Sequence, residues 1–179
     1  MEGRIVLYKG AKGRGKTLAM VKDGYKYYLK GWKILRNMNS VKFGHYISTE
    51  EIKNLDKNSY IRECVLMVDE IQIFFDSRRS IRKENLNFSN FVQQIRKRGI
   101  ILLSTTQYAN TVDLRLRQHL DIIVYPFFDK KYKVCKTIYL DMTTIEDDII
   151  GALKKPEMAQ IVFDAKPIFK LYDTNEVII

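Results

Sequence analysis

With 179 residues, the chain is long enough for one domain with a sizeable hydrophobic core. Hydrophobic residues make up 46% and charged residues 29%, which excludes a disordered chain. The two cysteines are too few for a disulfide framework, His45 and His119 stand apart from any metal-binding pattern, and no apolar run is long enough to span a membrane. We expect no signal peptide and a cytoplasmic protein. The formal charge of +10 favours a polyanionic partner, although charge alone does not identify nucleic acid.

The first half of the chain alternates between strand and helix patterns. Strands are predicted at about 4–9, 32–37 and 64–68, with a helix at 16–30 between the first two. Ser48 and Glu51 form a capping box that opens a further short helix. This alternation predicts an α/β fold with a mostly parallel central sheet and helices on both faces.

The second half continues the alternation and then changes to antiparallel structure. A helix is predicted at about 84–98, followed by buried strands at 100–105 and 120–126. Residues 127–140 read as a C-terminal β-hairpin, with a helix near 144–154 and one or two short strands near 160–172. The sequence contains no repeat or linker, so we expect residues 1–179 to form a single domain.

A phosphate-binding loop is predicted where the first strand meets the first helix. The segment matches G-x-x-x-x-G-K-[ST] and consists of Gly10, Ala11, Lys12, Gly13, Arg14, Gly15, Lys16 and Thr17. Glycines allow backbone N–H groups to point at an anion, and the helix adds its positive N-terminal dipole. We expect Lys16 to reach the β- and γ-phosphates and the Thr17 hydroxyl to ligate Mg²⁺. The loop therefore predicts a nucleoside triphosphate site.

Two adjacent acids, Asp69 and Glu70, follow the buried strand at 64–68. Strands often end in acidic turns, but ligands of open α/β sheets bind at this carboxyl edge. Beside a phosphate loop, Asp69 is expected to support Mg²⁺ and Glu70 to act as the general base that activates water. This pair favours hydrolysis over transfer to a small acceptor.

The strand at 100–105 leads into Thr105, Thr106 and Gln107. An amide can both donate to a phosphate and accept from water, so Gln107 is a candidate sensor of the γ-phosphate. On its own, this pattern would also suit a solvated strand end.

Several arginines are candidates for an arginine finger, which stabilises charge on the γ-phosphate of a neighbouring subunit. Arg96 and Arg98 lie in the last predicted turn of the helix at 84–98, where they could instead complement the helix dipole. Arg115 and Arg117 are the second candidates. The basic loop at 76–83 suits either a solvated turn or a contact with a phosphate backbone.

Together these motifs resemble the FtsK–HerA superfamily of ring-forming ATPases. The similarity is strongest to the genome-packaging ATPases of tailless internal-membrane viruses and to the amino-terminal domain of Zot-like filamentous-phage proteins. The matching segments are 10–17 (GAKGRGKT), 65–75 (VLMVDEIQIFF) and 96–107 (RKRGIILLSTTQ), with a weaker similarity in 171–176 (LYDTNE).

This resemblance implies a RecA-like (ASCE) P-loop NTPase that hydrolyses ATP with Mg²⁺. It also implies a ring, commonly of six subunits, that moves double-stranded DNA. Lys16 and Thr17 would hold phosphate and metal, Asp69 would support the metal, Glu70 would activate water and Gln107 would sense the γ-phosphate. The finger stays open between Arg96, Arg98 and the pair Arg115 and Arg117.

The chain lacks the membrane span that normally follows the Zot-like domain and the winged-helix domain of cellular FtsK translocases. These departures favour a viral genome-packaging ATPase in the host cytoplasm or on the virion, docked on a capsid or membrane-vertex protein. The alternative is a Zot-like assembly or secretion ATPase that switches protein interfaces during virion morphogenesis. A small-molecule nucleotide kinase is less favoured because no lid of clustered arginines is present.

Overall fold

A computed structural model describes residues 2–54, 57–73, 92–107, 118–143 and 157–173. The basic loop at 76–83, the first part of the helix predicted at 84–98, Arg115, Arg117 and the helix predicted near 144–154 lie outside these residues. So does the end of the segment at 171–176.

The described residues form an eight-stranded sheet. In chain order, its strands are β1 (Arg4–Lys9), β2 (Lys33–Arg36), β3 (His45–Tyr46), β4 (Cys64–Val68), β5 (Ile101–Thr106), β6 (Ile122–Asp129), β7 (Val134–Asp141) and β8 (Glu157–Asp164). Their spatial order is β3-β2-β4-β5-β1-β6-β7-β8. The first six strands in this spatial order, β3 through β6, pair in parallel. The last two strands, β7 and β8, pair antiparallel. The predicted α/β fold with a mostly parallel sheet is confirmed.

Helices cover both faces of this sheet. The helices are α1 (Lys16–Leu29), α2 (Thr49–Lys53) and α3 (Lys166–Phe169), with a 3-10 turn at Ile71–Ile73 and helical residues at 92–94. The predicted capping box opens α2, because the Ser48 hydroxyl accepts from the N–H of Glu51 and the Glu51 carboxylate accepts from the N–H of Ser48. Among the described residues, no helix has the length and apolar character needed to cross a membrane.

Alternation along the central strands produces two hydrophobic cores. In β1, Ile5 and Leu7 face the layer that contains α2, whereas Val6 and Tyr8 face α1. The same alternation holds in β4 and β5, which are buried at every position. Burial on both faces explains why these two strands read as continuous apolar runs in the sequence.

The end of the sheet differs from the sequence prediction in two respects. The short strands predicted near 160–172 are one strand, β8, at Glu157–Asp164, followed by helix α3 at Lys166–Phe169, where a proline in the first turn favours a helix start. Instead of a strand ending at Pro126 and a separate hairpin, β6 runs unbroken from Ile122 to Asp129. Its pairing with β1 ends at Val124, so Pro126 lies where β6 has only β7 as a neighbour. A proline is tolerated in such an edge position, which is why its presence does not end the strand.

A buried charged cluster ties α1 to the antiparallel end of the sheet. The Lys22 ammonium lies 2.9 Å from one carboxylate oxygen of Asp23, and the other oxygen accepts from the Tyr8 and Tyr139 hydroxyls at 2.8 Å each. Burial opposes the charged form of Lys22, but the Asp23 carboxylate holds its pKa above the ordinary value. Because α1 begins at the phosphate loop, this cluster also fixes the loop relative to β7.

Candidate functional site

The three central strands bring the predicted site residues to one edge of the sheet. β5 lies between β1 and β4, so the phosphate loop, the two acids and Gln107 follow three adjacent parallel strands. They line one cavity of about 940 Å³, which also extends toward the C-terminal part of the chain. Residues from 12 to 107 thus meet at a single site, as the sequence predicted.

The phosphate loop adopts an open turn that caps α1. Gly13 and Gly15 have φ of +78° and +89°, which glycine adopts without strain. The N–H of Arg14 donates to the carbonyl oxygen of Ala11, and the Gly10 N–H donates to that of Thr106. Of the eight predicted loop residues, Lys12, Gly13, Gly15, Lys16 and Thr17 line the cavity.

Lys16 is 7% exposed at the start of α1. Its ammonium donates to the Ala11 carbonyl oxygen at 3.4 Å, within the loop itself. A flexible ammonium held by one long hydrogen bond can exchange that bond for a phosphate oxygen at low cost. Lys16 therefore lies at the cavity with an ammonium that can move to a phosphate, and its predicted role stays a prediction.

Thr17 and Asp69 face each other across the cavity. The Thr17 hydroxyl lies 3.1 Å from both carboxylate oxygens of Asp69, and the Thr105 hydroxyl donates to one of them at 2.5 Å. Burial raises the pKa of Asp69, the hydrogen bond from Thr105 acts in the opposite direction, and the charge of Glu70 raises it further. A divalent cation would compensate the charge that burial disfavours here.

Glu70 occupies a constrained backbone position. Its φ of +53° lies in the left-handed region, which is uncommon for a residue with a side chain. Its N–H donates to the Thr105 hydroxyl at 2.9 Å, and its carboxylate accepts from the side-chain amide of Gln72. This turn directs the carboxylate to the cavity, directly beside Asp69.

Two residues that support the acids were missed from the sequence. The Asn37 side chain bonds both to the N–H of Asp69, at 2.9 Å, and to its carbonyl oxygen, at 3.1 Å. Thr105 joins Asp69 and Glu70 to β5. Asn37 follows β2, and only the parallel pairing of β2 with β4 places it beside Asp69, so no local pattern could have identified it.

The second wall of the cavity was also missed. It consists of side chains from the end of β2, the hairpin and the C-terminal segment, namely Met38, Phe128, Lys130, Lys133, Phe169, Tyr172 and Asp173. The hairpin reaches the phosphate loop through a hydrogen bond of 3.1 Å from the N–H of Phe128 to the carbonyl oxygen of Arg14.

The two candidate finger arginines that the structure describes, Arg96 and Arg98, lie away from this cavity. Arg96 pairs with Asp121 at 2.5 Å, and Asp121 in turn accepts from the N–H of Ile5 near the start of β1. Arg98 bonds to the Gln94 side chain and to the carbonyl oxygen of Asn58, just before β4. Both therefore lie at the amino-terminal edge of the sheet, opposite the phosphate loop. Neither side chain reaches the cavity of this chain.

The oxygen ligands present suit Mg²⁺. A hydroxyl and a carboxylate are hard donors of the kind that magnesium prefers, and the metal normally keeps further positions for water and phosphate. The described residues contain no cluster of three or more histidines, cysteines or acids that would favour a transition metal. Thr17 and Asp69 would hold the ion.

Comparison with solved structures identifies the fold. The N-terminal domain of zonular occludens toxin from Neisseria meningitidis matches with a TM-score of 0.68 and 22% identity over 97% of this chain and 100% of that chain. The genome-packaging NTPase B204 from Sulfolobus turreted icosahedral virus 2, in complex with ATP-gammaS, matches with a TM-score of 0.59 and 14% identity over 79% of this chain and 93% of that chain.

The flagellar accessory protein FlaH from Methanocaldococcus jannaschii is also similar, with a TM-score of 0.57 and 12% identity over 90% of this chain and 85% of that chain. No protein-family model and no curated protein sequence match this chain. The structural matches nevertheless confirm the expected resemblance to Zot-like and genome-packaging ATPases. The chain has the RecA-like fold of P-loop ATPases.

Proposed function

We propose that this protein hydrolyses ATP with Mg²⁺ at the cavity beside the phosphate loop. The observation that carries the proposal is the convergence of Lys16, Thr17, Asp69, Glu70 and Gln107 on one cavity at the carboxyl edge of three adjacent strands. A lysine, a hydroxyl, two carboxylates and an amide are the side chains that phosphoryl transfer to water requires.

Each side chain has a separate role in this proposal. Lys16 and the loop N–H groups bind the phosphates, and Thr17 and Asp69 hold Mg²⁺, which neutralises charge on the phosphate oxygens when bound. Glu70 accepts a proton from the attacking water, and Gln107 contacts the γ-phosphate. Asn37 and Thr105 position the two acids through the hydrogen bonds described above.

We further propose that residues 1–179 form one ATPase domain and assemble into a ring, a hexamer as in the superfamily pattern, that moves double-stranded DNA. The charge of +10 supports a polyanionic partner, and the likeness to a genome-packaging NTPase supports packaging as the task. In this proposal the ring docks on a capsid or membrane-vertex protein and works in the host cytoplasm or on the virion.

A second candidate function is a Zot-like ATPase that switches a protein interface during virion assembly or secretion. The likeness to the zonular occludens toxin domain favours it, because that match covers 97% of this chain, whereas the packaging NTPase covers 79%. In this case the basic and aromatic side chains of the hairpin would contact protein rather than DNA.

The steady-state ATPase rate with and without linear duplex DNA tests both proposals. Lys16→Ala serves as the blank, since it removes the phosphate-binding ammonium. A rate that duplex DNA increases, and that declines as salt is added, is expected for a motor acting on the DNA backbone. An ATPase rate that does not respond to DNA supports the assembly function if, in a pull-down, ATP changes which proteins are captured. A wild-type rate no higher than that of Lys16→Ala contradicts ATP hydrolysis.

A further inference from the structure

The cavity is larger than the phosphate-binding residues alone require. Lys16, Thr17, Asp69 and Gln107 line one side of its roughly 940 Å³. The other side is mainly apolar and aromatic, and it comes from three distant parts of the chain: Met38 after β2, Phe128 in the hairpin, and Phe169 and Tyr172 near the C-terminus. Nucleotide sites combine polar groups for the phosphates with an apolar wall for the nucleoside. The second wall has the composition that the nucleoside half needs.

Tyr172 combines burial with an unused polar group. The residue is 8% exposed and lines the cavity, and its hydroxyl makes no hydrogen bond to any residue that the structure describes. Burial, followed by the nearby negative charge of Asp69, raises the pKa of Tyr172, so the hydroxyl stays protonated at neutral pH. Among the described residues, Gln72 Oε1 is the buried side-chain polar atom without a partner, so the Tyr172 hydroxyl is open to solvent at the cavity, where a ligand can accept its proton.

Two aromatic rings stand on the same wall. Phe128 and Phe169 pack edge to face, with ring centroids 5.6 Å apart and an interplanar angle of 81°. Both rings line the cavity and remain partly exposed. Planar bases stack on or against such rings, as they do at other nucleotide-binding surfaces.

The segment that carries Phe169 and Tyr172 is held at both ends. At its start, the Ala165 N–H donates to the Lys133 carbonyl oxygen at 2.8 Å, which joins the segment to the hairpin. Near its end, the Leu171 carbonyl oxygen accepts from the Lys42 N–H at 2.9 Å, which joins it to the loop after β2. The segment is therefore a fixed wall of the cavity.

We propose that residues 165–173, together with Phe128 of the hairpin, form the nucleoside-binding half of the site, in which the Tyr172 hydroxyl donates a hydrogen bond to the bound nucleotide and the Phe128 and Phe169 rings hold the base. This inference rests on the proposed function, since it assigns the rest of the ligand whose phosphates the loop binds. It also gives the C-terminal segment a direct role in ATP affinity.

The test compares a complete nucleotide with its phosphates alone. Isothermal titration with Mg²⁺ present measures the Kd of ATP-gammaS and of inorganic tripolyphosphate for wild type, Tyr172→Phe and Phe169→Ala. Tyr172→Phe retains the ring and removes only the hydroxyl, so the fold is kept. We expect each variant to weaken ATP-gammaS about tenfold, which corresponds to about 1.4 kcal/mol. Tripolyphosphate affinity should be unchanged in both.

Two control variants show whether a loss of affinity is specific to the nucleoside. Tyr28→Phe removes a hydroxyl from an exposed tyrosine on α1, outside the residues that line the cavity, and should leave both affinities unchanged. Lys16→Ala should weaken both ligands. Wild-type affinity for ATP-gammaS in both cavity variants, or an equal loss for both ligands, overturns the nucleoside wall while leaving the ATPase proposal intact. If wild type binds neither ligand, both proposals fail.

Discussion

At Glu70, the backbone and two neighbours act together to fix one carboxylate. The left-handed φ, the hydrogen bond from its N–H to Thr105 and the contact with the Gln72 amide leave the side chain few alternatives. A general base benefits from such preorganisation because the proton acceptor already stands beside the attacking water. The strain at this residue is thus coupled to its proposed role.

Replacing this carboxylate separates binding from turnover. Glu70→Gln keeps the size and hydrogen-bonding capacity of the side chain but cannot accept the proton, so kcat should fall by about 10²- to 10⁴-fold. The Kd for ATP should stay within about threefold, because the phosphates are bound by the loop. Single-turnover hydrolysis and nucleotide titration measure the two quantities. Glu50→Gln, on the exposed face of α2, is the control, and wild-type turnover in Glu70→Gln would remove Glu70 from the mechanism.

The ionised carboxylate of Asp69 is expected to lower the free energy of unfolding. Since burial raises its pKa in the folded state, the ionised carboxylate opposes folding, and stability is lost as pH rises through the folded pKa. Asp69→Asn removes this charge and keeps a similar shape. Without Mg²⁺ or nucleotide, the variant should be more stable than wild type at pH 8.

The pH dependence distinguishes this cause from a simple packing change. The stability gap between Asp69→Asn and wild type should narrow as pH falls through the raised folded pKa of Asp69, and it should close below the ordinary aspartate value of about 3.9, where Asp69 is protonated in both states. Urea unfolding at pH 8 and at about pH 3.5 measures the gap. A gap that stays constant between the two pH values would mean that the charge of Asp69 is not its origin.

At the scale of elements, the antiparallel hairpin supports the phosphate loop. Phe128 bonds to Arg14, and a Cβ added to Gly15 would lie 3.0 Å from the Phe128 Cβ and 3.4 Å from the Cys135 Sγ. Gly13 shares the positive φ, but a Cβ there would meet nothing within 4 Å. Comparing substitutions at these two glycines therefore distinguishes the cost of backbone strain from the cost of contact with the hairpin.

Alanine at these two positions should have unequal effects. Gly13→Ala carries only the cost of a left-handed φ, about 1–2 kcal/mol. Gly15→Ala adds the steric conflict with the hairpin, so it should cost about 1–3 kcal/mol more and should also weaken nucleotide binding. Denaturant unfolding of both variants measures the difference. Equal free energies of unfolding would show that the hairpin can move away from the loop freely.

The elements that the sequence predicted are those with local signals. Continuous apolar runs predict the buried strands β4 and β5, and a capping box predicts α2. The loop and acids were recognisable because their spacing carries the chemistry. Asn37 gave no such signal, since it enters the site through contacts with a part of the chain far away in sequence. Tyr172 lies in the weakly matching segment 171–176, but its place in the cavity also depends on parts of the chain far away in sequence.

Gly24 shows the same limit within a helix. A glycine in the middle of α1 is expected to weaken the helix, yet a Cβ there would clash with the Met67 sulfur on β4. The residue allows close approach of helix and sheet, which only the packed structure reveals. The hairpin residues Phe128 and Cys135 likewise became part of the loop's surroundings only through the β6–β7 pairing.

At the scale of the whole molecule, the sheet has two functional edges. The carboxyl edge holds the nucleotide cavity, and the amino edge carries Arg96 and Arg98 near the starts of β1 and β4. An arginine at the amino edge can reach a γ-phosphate only in another subunit. If either residue is the finger, turnover therefore requires assembly, as expected for a ring.

Complementation between two inactive variants tests this arrangement. Arg98→Ala, or Arg96→Ala, should bind ATP normally and lose most turnover because the finger is missing. Glu70→Gln should also bind ATP and lose turnover, because the general base is missing. When the two are mixed and allowed to exchange subunits, a Glu70→Gln subunit supplies its intact arginine to the intact site of its neighbour. About a quarter of the interfaces in a random mixture should then be active.

A structural role for the same arginines predicts a different result. Arg96 holds Asp121, and Arg98 holds Gln94 and Asn58, so their loss could simply destabilise the amino edge. A folding defect would lower the melting temperature and would not be rescued by mixing, because the damaged subunit contains the site that must turn over. Arg4→Ala is the matched control, since Arg4 is an exposed arginine at the same edge and, among the described residues, its ion pair is with Glu2 at 3.6 Å. Recovery of activity on mixing, with wild-type behaviour of Arg4→Ala, would assign the finger in trans, whereas mixtures as inactive as their components would remove both arginines from that role.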